Sequence, residues 1–266
     1  MTQSRIAEGF LPMLKSILIG HLVVLLLAVG LQVARGQSLP AAAEYNSRGL
    51  ARLREGDIDA AIEDFTKAIG LSDGKPQAIS YNNRGNARKA KGDVVGAIDD
   101  YSKAVDANPR YAEAYYNRGI ALQSKNDLSG AINDYSKALE LAPRLFGAYV
   151  NRGNARRNKK QLKGAIEDYS AAIELRPKDA SIYFARATAR QEAGDLEGAI
   201  ADYTKVIELN PRSAVSYAER GVVETLESMY DDALRDFDQA SRIDPSLKSK
   251  YKTFIKQARE GKSKQR

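Results

Sequence analysis

Five prolines, Pro109, Pro143, Pro177, Pro211 and Pro245, stand 34 residues apart in this chain. A fixed period of this length means one structural unit copied along an axis, each copy burying its apolar face against its neighbours. Such a solenoid has a long open surface and no single enclosed pocket. The period favours binding over catalysis before any one residue is considered.

Read backward from each proline, one phase fits six units, starting at Ala42, Ala78, Ala112, Phe146, Ala180 and Ala214. The fourth position is Tyr45, Tyr81, Tyr115, Tyr149, Tyr183 and Tyr217, and the eighth is Gly49, Gly85, Gly119, Gly153, Ala187 and Gly221. The twentieth is Ala61, Ala97, Ala131, Ala165, Ala199 and Ala233. The twenty-fourth is Phe65, Tyr101, Tyr135, Tyr169, Tyr203 and Phe237, and the twenty-seventh is Ala in all but Val206. Positions four and eight lie one turn apart on a helix face, and the later three make a second such stripe. Between the stripes, Gly56-Asp57, Gly92-Asp93, Asn126-Asp127 and Gly194-Asp195 can end one helix and N-cap the next. Proline then stops the second helix. Each unit reads as a helical hairpin.

These positions resemble the tetratricopeptide repeat family, a 34-residue helix-turn-helix with an aromatic at four, Gly at eight, Ala at twenty, an aromatic at twenty-four, Ala at twenty-seven and Pro at thirty-two. The resemblance covers roughly residues 42–247 and implies an all-α, right-handed α-α superhelical solenoid. Its six repeats would be 42–77, 78–111, 112–145, 146–179, 180–213 and 214–247. Three departures stand out. The first repeat has Asp73 in place of proline and a two-residue insertion ending near Pro76, and the fifth has Ala187 and Val206. Position seven, commonly Leu in the family, is Arg in every copy.

Arg48, Arg84, Arg118, Arg152, Arg186 and Arg220 each precede an aspartate by 16 residues: Asp64, Asp100, Asp134, Asp168, Asp202 and Asp236. With Arg on the first helix and Asp on the second, this predicts a charge-assisted clasp in each hairpin. Ligand binding by these arginines is the competing reading.

The ends differ from the repeats. Leu247, Tyr251, Phe254, Ile255 and Ala258 form an apolar helical stripe, which predicts a capping helix over roughly Ser246–Glu260 closed by Gly261, with residues 248–266 forming the basic cap and tail. At the other end, Ile17 to Ala34 is almost wholly apolar, Lys15 precedes it, and Ala34-Arg35-Gly36 supplies small residues for a signal peptidase. Residues 1–36 are expected to be a signal peptide cleaved after Gly36 or an uncleaved membrane anchor, with Met13 as a candidate start. Either way the repeats would lie outside the cytoplasm: periplasmic or secreted if cleaved, held at the inner membrane if not.

The chain carries +7, unevenly. Residues 1–36 hold Arg5, Lys15 and Arg35 against Glu8, and the segment from Lys248 has eight basic residues against Glu260, which leaves the repeats at −2. A nearly neutral array does not support nucleic-acid binding, which needs a basic stripe. The basic cap and a patch of Arg157, Lys159, Lys160 and Lys163 could still meet an anionic polymer or lipid.

The signs of catalysis are missing. There is no Cys, and the one His, His21, lies in the export segment, so the usual base, nucleophile and metal ligands are lacking. No phosphate-cradling GxxxxGK[ST] or GxGxxG occurs. No enzyme, cofactor or metal site is expected.

The resemblance implies a partner-binding groove lined by positions two, five, nine, twelve and thirteen of the first helices. Carried over, the lining includes Asn46, Leu50, Asn82, Asn86, Lys89, Tyr116, Ile120, Gln123, Val150, Asn154, Arg157, Phe184, Thr188 and Gln191. The amides of Asn82, Asn86 and Asn154 could bond a peptide backbone in both senses. Tyr116 and Phe184 are candidate anchors, or else pack on adjacent helices. Some family members clamp a C-terminal carboxylate with cations, but Asn82, Gly147 and Asn151 occupy the cationic positions here. The expected function is therefore a non-enzymatic adaptor in the bacterial envelope that holds protein or peptide segments. The alternative is an envelope protein binding anionic polymer or lipid through its basic cap and patch.

Overall fold

The computed structural model describes residues 41–71 and 77–265. The export segment and the insertion with Asp73 and Pro76 lie outside them. A first helix, α1, covers 41–55. It is followed by α2 (Ile58–Gly70), α3 (Ala78–Lys91), α4 (Val94–Ala107), α5 (Ala112–Ser124), α6 (Leu128–Leu141) and α7 (Phe146–Asn158). Then come α8 (Leu162–Leu175), α9 (Ala180–Ala193), α10 (Leu196–Leu209), α11 (Ala214–Leu226), α12 (Tyr230–Ile243), α13 (Leu247–Lys250) and α14 (Lys252–Gln265). No strand forms among the described residues.

Local chemistry sets the boundaries. Asp57, Asp93, Asp127 and Asp195 each N-cap the second helix of a hairpin, accepting from the backbone N–H of Ala60, Gly96, Gly130 and Gly198. The residues before them, Gly56, Gly92, Asn126 and Gly194, take positive φ and turn the chain out of the first helix. At the far end, the residue before each proline leaves helical geometry, as Ala142 does at φ −137, ψ 80. The period read from the prolines is thus a period of helix stops.

The chain forms two compact units, one ending at Pro109 and one beginning at Arg110. In the first, α2 packs on α3 and α3 on α4. In the second, each helix from α5 to α12 packs on the next, and α12 receives α13 and α14. This consecutive pairing is that of an all-α solenoid of helix-turn-helix repeats.

The alanines at position twenty and the aromatics at twenty-four are buried in every hairpin. Small residues at position eight make room for the rings. A Cβ on Gly49 would fall 2.7 Å from the Phe65 ring, and one on Gly153 would fall 2.8 Å from Tyr169. Burying rings of this size supplies much of each hairpin's apolar stabilisation, about 2–3 kcal/mol per ring.

At the C-terminus, Leu247, Tyr251 and Ala258 are buried with Phe237 and Ala240, and Phe254 and Ile255 pack beside them. The predicted stripe therefore covers the last hairpin, but on two helices, broken at Tyr251, instead of one, and Gly261 does not end the second. It lies inside α14, where a Cβ would fall 2.2 Å from the Tyr230 ring. Its role is close approach to that ring. No helix among the described residues is long and apolar enough to cross a membrane.

Candidate functional site

The first helix of each hairpin is held at a set rotation by its arginines. All six predicted clasps form: Arg48 reaches both oxygens of Asp64 at 2.8 and 2.6 Å, Arg84 spans Asp100 at 2.9 and 2.7 Å, and Arg118 spans Asp134 at 2.7 and 2.8 Å. Arg152 holds Asp168, Arg186 holds Asp202 and Arg220 holds Asp236 in the same manner. The aspartates are buried, which the paired hydrogen bonds make tolerable. The guanidinium of Arg48 holds the Asp64 carboxyl below the usual carboxylate range. The same arginines lie over the position-four rings, as Arg186 does at 5.7 Å from the Tyr183 centroid. With their donors engaged inside the fold, they are structural.

A second arginine, at position eleven, shares the work. Arg52, Arg88, Arg156 and Arg190 lie 2.9–3.0 Å from Asp64, Asp100, Asp168 and Asp202. Each also donates to a carbonyl on the second helix, that of Ala60, Gly96, Gly164 or Gly198. The signal was present in the sequence as an Arg 12 residues before the clasp aspartate in four of six copies. The sixth copy has Glu224 there, 5% exposed and 3.7 Å from Arg220. Burial, reinforced by the charge of Asp236, pushes its carboxyl up to about 8.

In the second unit, the groove positions of α5, α7 and α9 bring together Tyr116, Ile120, Gln123, Val150, Asn154, Arg157, Phe184, Thr188 and Gln191, all half-buried. The two aromatics pack on buried rings yet keep part of their surface accessible. Tyr116 lies 6.0 Å from the Tyr135 ring and Phe184 makes an edge contact with Tyr203 at 5.4 Å. Gly147 lets the Tyr116 hydroxyl cross to the next hairpin, since a Cβ there would fall 2.5 Å from it, and Asn151 donates to that hydroxyl at 3.3 Å. Apolar side chains thus alternate with amides along this face.

In the first unit, Leu50, Asn86 and Lys89 are half-buried at their groove positions. Burial lowers the ammonium pKa of Lys89. Two residues depart from expectation. Asn82 is only 1% exposed, too little to line a groove. Asn46 is spent inside the fold, donating to Ser80 Oγ at 2.7 Å and to the Ala42 carbonyl at 3.2 Å.

The amides also depart from the two-way bonding expected of them. Tyr101 donates to Asn86 Oδ1 at 2.7 Å, and Tyr169 donates to Asn154 Oδ1 at 2.7 Å. In the neighbouring hairpins Tyr135 donates to Gln123 Oε1 at 2.8 Å and Tyr203 to Gln191 Oε1 at 3.1 Å. Each carbonyl therefore already accepts one hydrogen bond from inside the fold.

The predicted basic patch is partly neutralised. Lys160 pairs with Glu192 at 2.9 Å, Arg157 approaches the same carboxylate at 3.6 Å, and Lys159 donates to Ser129. The basic cap is also partly paired, with Lys256 3.6 Å from Glu260 and Lys262 against Asp231. Lys248, Lys252, Lys256 and Arg259 line a cavity of about 590 Å³ with Pro245 and Ile255. Among the described residues, no group of three or more His, Cys, Asp or Glu side chains could hold a metal ion.

Family models described as tetratricopeptide repeat or TPR repeat match residues 45–74, 85–126, 112–145, 153–194 and 180–213. The chain belongs to the tetratricopeptide repeat family. No curated protein matches it in sequence. Among solved structures it is similar to YrrB, described as a TPR protein with an unusual peptide-binding site, at 26% identity and TM-score 0.64, over 75% of this chain and 97% of that one. It is also similar to MamA at 26% identity and TM-score 0.61, over 65% of this chain and 94% of that one. Pseudomonas aeruginosa PilF shares the fold at 18% identity and TM-score 0.63, over 84% of this chain and 99% of that one. The TPR fold and these TPR neighbours make the chain a protein-interaction scaffold.

Proposed function

We propose that this TPR protein is a non-enzymatic adaptor, exported to the bacterial envelope, that holds a peptide or helical segment of a partner on its α5–α9 face. The observation that carries the reading is the run of half-buried apolar and amide side chains there. Tyr116 and Phe184 are stiffened from behind by buried rings, so docking would cost them little side-chain entropy. The description of YrrB as having a peptide-binding site supports the same use of a related scaffold. Immobilised peptides should bind the purified protein and lose at least tenfold in affinity with F184A or Y116A. Equal binding by wild type and both variants would sink the reading. Export rests on the apolar segment from Ile17 to Ala34 and the small residues after it. It predicts a mature envelope protein that begins at Gln37, read by N-terminal sequencing.

A second reading draws on the cap. Four cations lining a cavity together with Ile255 suit an anionic polymer or lipid headgroup. Removing 248–266 is a poor test, because Leu247, Tyr251 and Ala258 are part of the last hairpin's core. K252E/K256E leaves that core intact and should abolish binding to vesicles containing phosphatidylglycerol. Unchanged vesicle binding would exclude the cap.

A further inference from the structure

The four hairpins with Tyr at position twenty-four each carry one amide over it, at position nine (Asn86, Asn154) or twelve (Gln123, Gln191). The two hairpins with Phe there, Phe65 and Phe237, have Leu50 and Val222 at position nine and Leu53 and Thr225 at twelve. Amide and phenol therefore come and go together, although position nine and position twelve alternate as the source. This pairing is not needed to build the hairpin, since the Phe copies fold without it.

We propose that the buried tyrosine hydroxyls of α6, α8 and α10 fix the amides above them as hydrogen-bond donors. The α5–α9 face then takes an extended, apolar polypeptide segment through its main-chain carbonyl oxygens. This rests on the adaptor reading and gives it a polarity.

The argument is one of hydrogen-bond satisfaction. Tyr135, Tyr169 and Tyr203 are 0% exposed, so each O–H needs an acceptor within the fold. The amide oxygen supplies it. With the amide flipped, an NH2 group would face the phenol oxygen and the buried hydroxyl proton would lose its acceptor. For Tyr203 a second contact, Thr188 Oγ1 at 3.4 Å, is longer than the 3.1 Å bond to Gln191. Burial also raises the phenols of Tyr169 and Tyr203 to about 12, which keeps them protonated and donating at neutral pH. With each oxygen turned inward, Gln123 Nε2, Asn154 Nδ2 and Gln191 Nε2 form the outer ends of their side chains. None has a hydrogen-bond partner among the described residues.

A face that offers donors selects acceptors. Carboxylates are the less suited acceptor here, because Arg157 is already near Glu192. Ile120, Val150 and Phe184 between the amides favour apolar side chains. Main-chain carbonyls of an extended segment satisfy both conditions, since every residue contributes one acceptor.

The test begins with a randomised 12-residue peptide library panned against the full chain, followed by anisotropy titration of the best binder. F184A reports whether the α5–α9 face is used at all. N154D/Q191E keeps the shape and the bond to tyrosine but replaces the outer NH2 by an acceptor; affinity should fall at least tenfold, the loss of two donors. Y169F/Y203F frees the amides to turn and should weaken binding about threefold. Raising NaCl from 50 to 500 mM should change affinity less than threefold.

If F184A abolishes binding while N154D/Q191E binds like wild type, the donor polarity is wrong and the docking face stands. If no selected peptide is sensitive to F184A, the docking face itself fails, and the proposal with it. A ligand-free NMR measurement decides the lock separately. The Asn154 NH2 protons should exchange with water while the Tyr169 hydroxyl proton is protected; the reverse pattern overturns the assignment.

Discussion

Hairpin five (α9–α10) and hairpin six (α11–α12) are neighbours built on one plan, and they differ in the polar groups around the clasp aspartate and the buried ring. In hairpin five, Asp202 is held by both Arg186 and Arg190, and Tyr203 donates to Gln191. In hairpin six, Asp236 keeps Arg220 but faces Glu224 in place of the second arginine, and Phe237 has no hydroxyl to donate. Both hairpins nonetheless bury Ala at twenty, an aromatic ring at twenty-four and an aliphatic residue, Val206 or Ala240, at twenty-seven. The difference teaches that ring-and-alanine packing makes the hairpin, whereas the polar set tunes its stability and what its outer face offers.

The largest test removes the shared aspartate. D202A leaves two part-buried guanidiniums without their partner and should cost about 3–5 kcal/mol in urea denaturation. D236A should cost about 1–2 kcal/mol, because Arg220 can turn to Glu224, 3.7 Å away. Equal losses would mean that the second arginine contributes nothing.

The next test concerns pH. Glu224 has a folded value of about 8, raised from 4.5 by burial. The folded state therefore binds the proton more tightly than the unfolded chain. Its contribution is whole below pH 4.5 and is lost as pH rises through about 8. Relative to E224Q, the wild type should lose on the order of 3 kcal/mol across that window, and a constant difference between them would refute the shift. E224R, which copies Arg190, should raise stability by about 1–2 kcal/mol at pH 8 and make hairpin six behave like hairpin five.

A third test exchanges the rings. F237Y places a hydroxyl under Val222 with no amide to accept it and should cost about 1–2 kcal/mol. Adding V222N should recover most of that loss, and a double-mutant cycle without coupling would break the pairing rule. The smallest effect belongs to Y203F, about 0.5–1 kcal/mol, since Gln191 can still reach water.

Much of the fold was legible because its determinants recur. Gly or Asn before Asp marked the turns, proline marked the stops, and an Arg and Asp held at constant spacing identified a contact between helices. The parts that were not legible depend on rotation by fractions of a turn. Asn82 and Asn154 both stand on the first helix at groove positions, but one is sealed and the other half-buried. Gly261 had the residue type of a helix terminator, whereas the approach of Tyr230 explains it. For the amides, the sequence specifies that Asn154 can donate and accept. Only the phenol of Tyr169, 15 residues away, decides which end remains outside.

The clasp arginines have one more partner, and it belongs to the hairpin before. Arg152 donates to Ser136 Oγ at 2.9 Å, Arg186 to Ser170 at 2.9 Å and Arg220 to Thr204 at 2.9 Å. Each hydroxyl donates in turn to the carbonyl four residues earlier, so it is oriented to accept. One guanidinium therefore belongs to two modules at once. Under tension applied at the chain ends, the second unit should not shed its hairpins singly: peeling one away pulls on the buried anion of the next, and the load spreads along the array.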